Sequence, residues 1–116
     1  MRPAPCRISL PSSSISVEEL AQWRAQGRDF ILLDVREPFE LAAARIEGAL
    51  HIPLRDLPSR LGDLKRDGEM AVICHRGHRS DYAARFLAAQ GFVRVHNVDG
   101  GIAAYAERVD ASVGSY

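Results

Sequence analysis

The chain has 116 residues, with 15 Lys and Arg against 15 Asp and Glu and a formal net charge of zero. That length holds one domain, and 47% hydrophobic with 26% charged residues describes a soluble globular protein and excludes a disordered chain. Charge neutrality argues against a general nucleic-acid or acidic-membrane binder, since no excess of cations is present to drive counterion release. No apolar run approaches the roughly 18 residues of a membrane-spanning helix.

Residues 1–14, rich in Pro and Ser, read as an extended or disordered lead, and residues 15–116 as the domain. Met1 to Pro11 lacks the long apolar core of a secretory signal, so a cytoplasmic location is expected. Cys6 lies in the lead and Cys74 in the domain. Two cysteines make no disulfide framework, and in a reducing compartment each is a thiol.

Ser16-Val17-Glu18-Glu19 is a capping box that starts a helix, and Gly27 supplies its stop. Phe30 to Val35 is a short, nearly unbroken apolar run, the pattern of a strand buried on both faces. Pro38 suits the first turn of a helix reaching about Arg45. Ala49 to Pro53 is a brief strand. Leu54, Leu57 and Leu61 have helical spacing, but Pro58 makes that segment short or irregular. Gly62 to Gly68 reads as a solvated polar connector.

Met70 to Cys74 is a second buried strand that runs straight into His75-Arg76-Gly77-His78-Arg79-Ser80. A helix follows, with Tyr82, Ala83, Phe86 and Leu87 on one stripe and Gly91 as its stop. Phe92 to Val98 is a third main strand, and Asp99-Gly100-Gly101 turns into a last helix near Ile102 to Arg108. Strands alternating with helices predict an α/β fold with a mainly parallel sheet and helices on both faces.

The segment from Cys74 to Ser80 carries the chemistry. It joins the carboxyl end of a buried strand to a helix, where open α/β sheets place their ligand sites. Successive backbone N–H groups in such a loop form an anion-binding nest, and Gly77 permits the backbone conformations this needs. Arg76 and Arg79 add positive charge, and residues 74–80 contain no acid to cancel it. The expectation is an activated cysteine nucleophile that receives an anion. The bland alternative is a buried structural cysteine beside solvated arginines.

Cys74-His75-Arg76-Gly77-His78-Arg79-Ser80 resembles the active-site loop C-x-x-G-x-R-S of single-domain rhodanese-like sulfurtransferases. Leu33-Asp34-Val35-Arg36-Glu37-Pro38, the segment Ile46 to Pro53, and Val98-Asp99-Gly100-Gly101-Ile102 resemble further blocks of that family, in the right order over roughly residues 17–110. The resemblance implies a central sheet of about five parallel strands flanked by helices. It implies sulfur transfer, in which Cys74 takes the outer sulfur of a donor such as thiosulfate and becomes a persulfide. The sulfur then passes to cyanide in the test tube, or to a thiol or sulfur-acceptor protein in the cell. No cofactor is implied. The substrate is a small sulfur-containing anion, cradled by the amides of residues 75–79; Arg79 would face its anionic group, and Ser80 could donate to the cysteine sulfur. The chain departs from the pattern at Ala44-Arg45, where many members have Gly-His, and at Tyr105, where Trp is frequent.

Two alternatives accompany this reading. One is a persulfide carrier or partner-docking module with little turnover of its own. The other is a phosphatase or arsenate reductase, whose C-x5-R loop exceeds the C-x4-R spacing of Cys74 and Arg79 by one residue and so makes a larger cup. A metal site at His75 and His78 is disfavoured because two adjacent arginines repel a cation and further ligands are missing; both histidines are expected at the mouth of the loop. Asp34 and Arg36 are expected on the same rim, as a structural ion pair at least as readily as substrate contacts. His51, His96, Trp23, Ile102 and Tyr105 read as structural or packing residues.

Overall fold

The computed structural model describes residues 13–116, so Cys6 and most of the lead lie outside the described residues. The elements in chain order are β1 (Ser13–Ile15), α1 (Val17–Ala25), β2 (Ile31–Asp34), α2 (Pro38–Ala43), β3 (Leu50–His51), a 3-10 segment (Leu54–Asp63), β4 (Glu69–Ile73), α3 (His78–Ala89), β5 (Arg94–Val98), α4 (Gly101–Arg108) and a short 3-10 turn (Ala111–Val113). The five strands form one sheet in the order β1-β5-β4-β2-β3, and every pairing is parallel. The predicted α/β class and the sheet of about five strands are what the structure has.

One element, β1, differs from the sequence reading, and the irregular helix expected around Pro58 forms. Ser13 and Ser14, placed in the lead, pair with His96 and Asn97 as an edge strand. Only Ile15 of that strand is buried, so three residues offered too little alternation to be read as a strand. Leu54–Asp63 is a 3-10 segment around Pro58; the proline lacks the N–H that an α-helix would use there. Leu57 is nonetheless fully buried.

The capping box at Ser16 forms as expected. Glu19 N–H donates to Ser16 Oγ at 3.0 Å, and Ser16 N–H donates to Glu19 Oε1 at 3.1 Å. Alternation along the central strand then divides the core. Met70, Val72 and Cys74 face α3 and the 3-10 segment with Leu57, Ala83 and Leu87, whereas Ala71 and Ile73 face α1 and α4 with Leu20, Trp23, Ile102 and Tyr105. Tyr82, expected on the buried stripe of α3, points to solvent.

The chain order fixes where a ligand site belongs. After β2 the chain moves outward to β3, and after β4 it moves the other way to β5. The carboxyl ends of β2 and β4, paired at Asp34 and Ile73, therefore flank the topological switch point, where the following loops diverge and leave a crevice.

Candidate active site at the carboxyl end of the sheet

Cys74 follows the last residue of β4 and keeps the strand's alternation, so its side chain turns toward the start of α3. The chain then crosses Gly77 at φ +104° and enters α3 at His78. This conformation lies in the left-handed region open to glycine. A Cβ at Gly77 would also stand 3.2 Å from the Gly100 nitrogen.

The β5–α4 turn braces the loop from beneath. Ile102 N–H donates to the Cys74 carbonyl at 2.9 Å, and Ala103 N–H donates to the His75 carbonyl at 3.0 Å. Gly101 makes this approach possible: a Cβ there would lie 2.5 Å from both carbonyl oxygens. With these carbonyls held against α4, later amides of the loop turn toward the sulfur. Gly77 N–H donates to Cys74 Sγ at 3.1 Å and Ser80 N–H at 3.3 Å, with Ser80 Oγ also 3.3 Å away. At Cys74 Sγ itself the amide donors are those of Gly77 and Ser80. Cys74 is 1% exposed, so its sulfur lies at the base of the loop.

The electrostatics differ from the sequence expectation. Arg79 does not stand free: its guanidinium makes a two-pronged pair with Glu40 of α2, at 2.6 and 2.7 Å. Residues 74–80 hold no acid, but the fold brings one in from 39 residues away. The Arg79 guanidinium, with the Tyr116 hydroxyl and against the cost of burial, holds the Glu40 carboxyl down at about 2. The same contact raises Arg79 above the usual arginine range. Arg76 on the loop and His78 at the start of α3 are exposed.

Tyr116 is a second contributor that the sequence did not signal. Its hydroxyl donates to Glu40 Oε2 at 2.6 Å and accepts from Arg36 Nη1 at 3.1 Å. Its ring stacks on His75 with centroids 3.9 Å apart. Burial and the adjacent Arg76 lower the His75 imidazole from its ordinary value, which favours the neutral ring.

Asp34 and Arg36 do not open onto the rim. They are 2% and 0% exposed and form a buried pair, with Arg36 Nη2 2.7 Å from Asp34 Oδ2. Arg36 also donates to the carbonyls of Ala44 and Glu40, so it ties α2 to β2. Burial opposes its charge, but the bonds to Asp34 and Tyr116 outweigh that and raise its pKa. His51 Nε2 lies 2.6 Å from the Arg36 carbonyl, and His96 contacts Ser13 and Glu69. Trp23, Ile102 and Tyr105 are buried.

Asn97 is a third residue that the sequence reading passed over. It is buried at the end of β5, 2.5 Å from Ser80 Oγ. Its position one residue before the Val98 to Ile102 block was the available signal.

Comparison with known proteins agrees with this architecture. The family model of the rhodanese-like domain matches residues 16–108. A sulfurtransferase of Allochromatium vinosum is 37% identical over 94 residues, spanning 81% of this chain and 88% of that protein. A putative sulfur carrier protein of Bacillus subtilis, YrkF, is 42% identical over 84 residues, covering 72% of this chain but only 45% of its own. The crystal structure of a rhodanese-related protein from Thermoplasma volcanium superposes with a TM-score of 0.75 at 37% identity, over 84% of this chain and 93% of that one. No helix among the described residues is long and apolar enough to cross a membrane. With a match that spans nearly the whole domain and a cysteine loop at the switch point of a five-stranded parallel sheet, the chain belongs to the rhodanese-like domain family, whose relatives bear the names of sulfur-transfer proteins.

Proposed function

We propose that the protein is a sulfurtransferase that carries sulfane sulfur on Cys74 between a small anionic donor and a thiol acceptor. The observation that carries this reading is the convergence of the Gly77 and Ser80 amides on Cys74 Sγ at 3.1 and 3.3 Å. Preorganised donors aimed at an atom where negative charge resides stabilise that charge at little reorganisation cost. The Cys74 thiolate attacks the outer sulfur of a donor such as thiosulfate. A new S–S bond forms, the donor's S–S bond breaks, and sulfite leaves with the electron pair. An acceptor thiolate, or cyanide in an assay, then attacks the outer sulfur of the persulfide and returns Cys74 as thiolate.

Arg76, His75 and His78 line the approach in this reading, with Ser80 at the sulfur. Arg79 serves through Glu40 by holding the start of α3 against α2, a different task from meeting the donor directly. That pairing also favours a second reading, a persulfide carrier that accepts sulfur from another protein, because it leaves less free cation to draw in a dianion. The phosphatase alternative gains nothing from the site: only four residues separate Cys74 from Arg79, and that arginine is occupied.

Intact mass after incubation with thiosulfate tests the proposal. The wild type should gain about 32 Da, one sulfur atom, lost again on adding cyanide or a thiol, and Cys74→Ser should gain nothing. Sulfur gain in Cys74→Ser, or none in the wild type with either thiosulfate or an organic persulfide, would overturn it. Gain from the persulfide alone would select the carrier reading.

A further inference from the structure

The hydrogen atoms around Cys74 suffice for the contacts made there only while Cys74 is a thiol. Ser80 has a single hydroxyl proton and two acceptors in reach, Cys74 Sγ at 3.3 Å and Asn97 Oδ1 at 2.5 Å. The orientation of Asn97 follows from its other neighbour. Its Nδ2 donates to Asp99 Oδ1 at 3.3 Å, and a carboxylate accepts only, so the amide oxygen must face Ser80. An amide oxygen accepts, and Ser80 must therefore donate to it. With a neutral thiol the chain closes: Cys74 S–H donates to Ser80 Oγ, and Ser80 O–H donates to Asn97. With a thiolate it does not. Either the hydroxyl swings to the sulfur and leaves the buried Asn97 oxygen without a donor, or the sulfur forgoes its third bond.

We propose that Asn97 is a positioning residue that governs the reactivity of Cys74 through the Ser80 hydroxyl, holding it back from the sulfur anion. Asn97 does not touch the sulfur itself. The inference rests on Cys74 being the nucleophile proposed above. The charged and titratable groups around the sulfur's loop are Arg79 with its partner Glu40, His75 stacked on Tyr116, the exposed Arg76 and His78, and Asp99 bonded to Asn97. None of them is itself substituted below; the loss of the Asn97 bond to Asp99 is common to both Asn97→Ala backgrounds and is cancelled by the Ser80→Ala comparison.

Removing the amide frees the hydroxyl to serve the thiolate. One hydrogen bond to a charged sulfur is worth about tenfold in thiolate population. A better-stabilised thiolate is also a weaker nucleophile, with a Brønsted coefficient of about 0.5. The two effects combine to roughly a threefold rise in rate where thiol predominates and roughly a threefold fall where the rate has levelled off. A change of opposite sign at the two ends of one pH profile is not what simple loosening of the fold would produce.

The experiment is the pH–rate profile of Cys74 alkylation by iodoacetamide, in which the sulfur forms an S–C bond and iodide leaves, with the site located by peptide mass. It is run on the wild type, Asn97→Ala, Ser80→Ala and the double variant. Asn97→Leu, closer in volume, substitutes if the alanine variant does not fold. The expected result is a raised acid limb and a lowered plateau in the Asn97 variant, and no effect of the same substitution once Ser80 is alanine. An unchanged profile, a shift of one sign throughout, or an equal effect in the Ser80→Ala background would overturn the proposal. Alkylation reads the sulfur whether or not it accepts sulfane, so a wild type that gains no sulfur from any donor defeats the proposed function and leaves this measurement interpretable.

Discussion

Glu40→Gln isolates the charge that the fold delivers to the loop. Glutamine keeps the volume, and its Oε1 can still accept from the Glu37 amide, a bond of 2.8 Å in the wild type; what it removes is the ion pair with Arg79 and the Oε2 acceptor of the Tyr116 hydroxyl. A carboxyl ordinarily at 4.5 and held at about 2 corresponds, at 1.36 kcal/mol per pKa unit, to about 3 kcal/mol. The Glu40 side chain is only 6% exposed but that of Arg79 is 36% exposed, and solvent screening on the arginine side lowers the expectation to about 2 kcal/mol. In a domain of this size that is roughly 8 °C in Tm. The folded-state pKa lies below the unfolded one, so the contribution is fully present above about 4.5 and is lost as pH falls from there toward about 2. Urea unfolding of both proteins at pH 7, 5, 4 and 3.5 should show a gap that is constant over the first two and narrows over the last two. A gap under about 0.5 kcal/mol at pH 7, or one that does not change on acidification, would refute the reasoning.

Two further pairs of substitutions probe the scaffold. Arg36→Leu leaves the Asp34 carboxylate buried without its partner and should lower stability by about 3–5 kcal/mol, whereas Asp34→Leu with Arg36→Leu should recover part of that loss; a double variant no more stable than Arg36→Leu in urea would contradict the assignment of a paired charge. Gly48 and Gly101 both have positive φ, but a Cβ at Gly48 meets nothing within 4 Å and one at Gly101 meets the Cys74 and His75 carbonyls at 2.5 Å. Gly48→Ala should therefore cost about 1 kcal/mol from backbone strain alone. Gly101→Ala should cost about 3 kcal/mol or more and also slow Cys74 alkylation by displacing the loop. Equal losses from the two, read by thermal melting, would argue against the brace.

Much of the molecule is written in short-range pattern. The apolar runs from Phe30 to Val35 and from Met70 to Cys74, the box at Ser16 and the cysteine loop before α3 are local. Each depends on residues a few positions apart, whose periodicity or backbone preference acts before any tertiary contact forms. The order of these signals sufficed for a parallel sheet with a sulfur at its carboxyl edge. The long-range partners were not legible in the same way. Arg79 looked like an unopposed cation because its acid lies 39 residues upstream, and Glu40 finds Tyr116 a further 76 residues along. Such contacts follow from which strands are neighbours and from how α2 and the C-terminal residues fold back over them, and no periodicity encodes that. Sequence alone decided that one cysteine would sit on an amide-rich turn. Only the tertiary structure decided that its arginine would be spoken for and that its serine would share one proton with Asn97, since both outcomes turn on distances between elements remote in the chain.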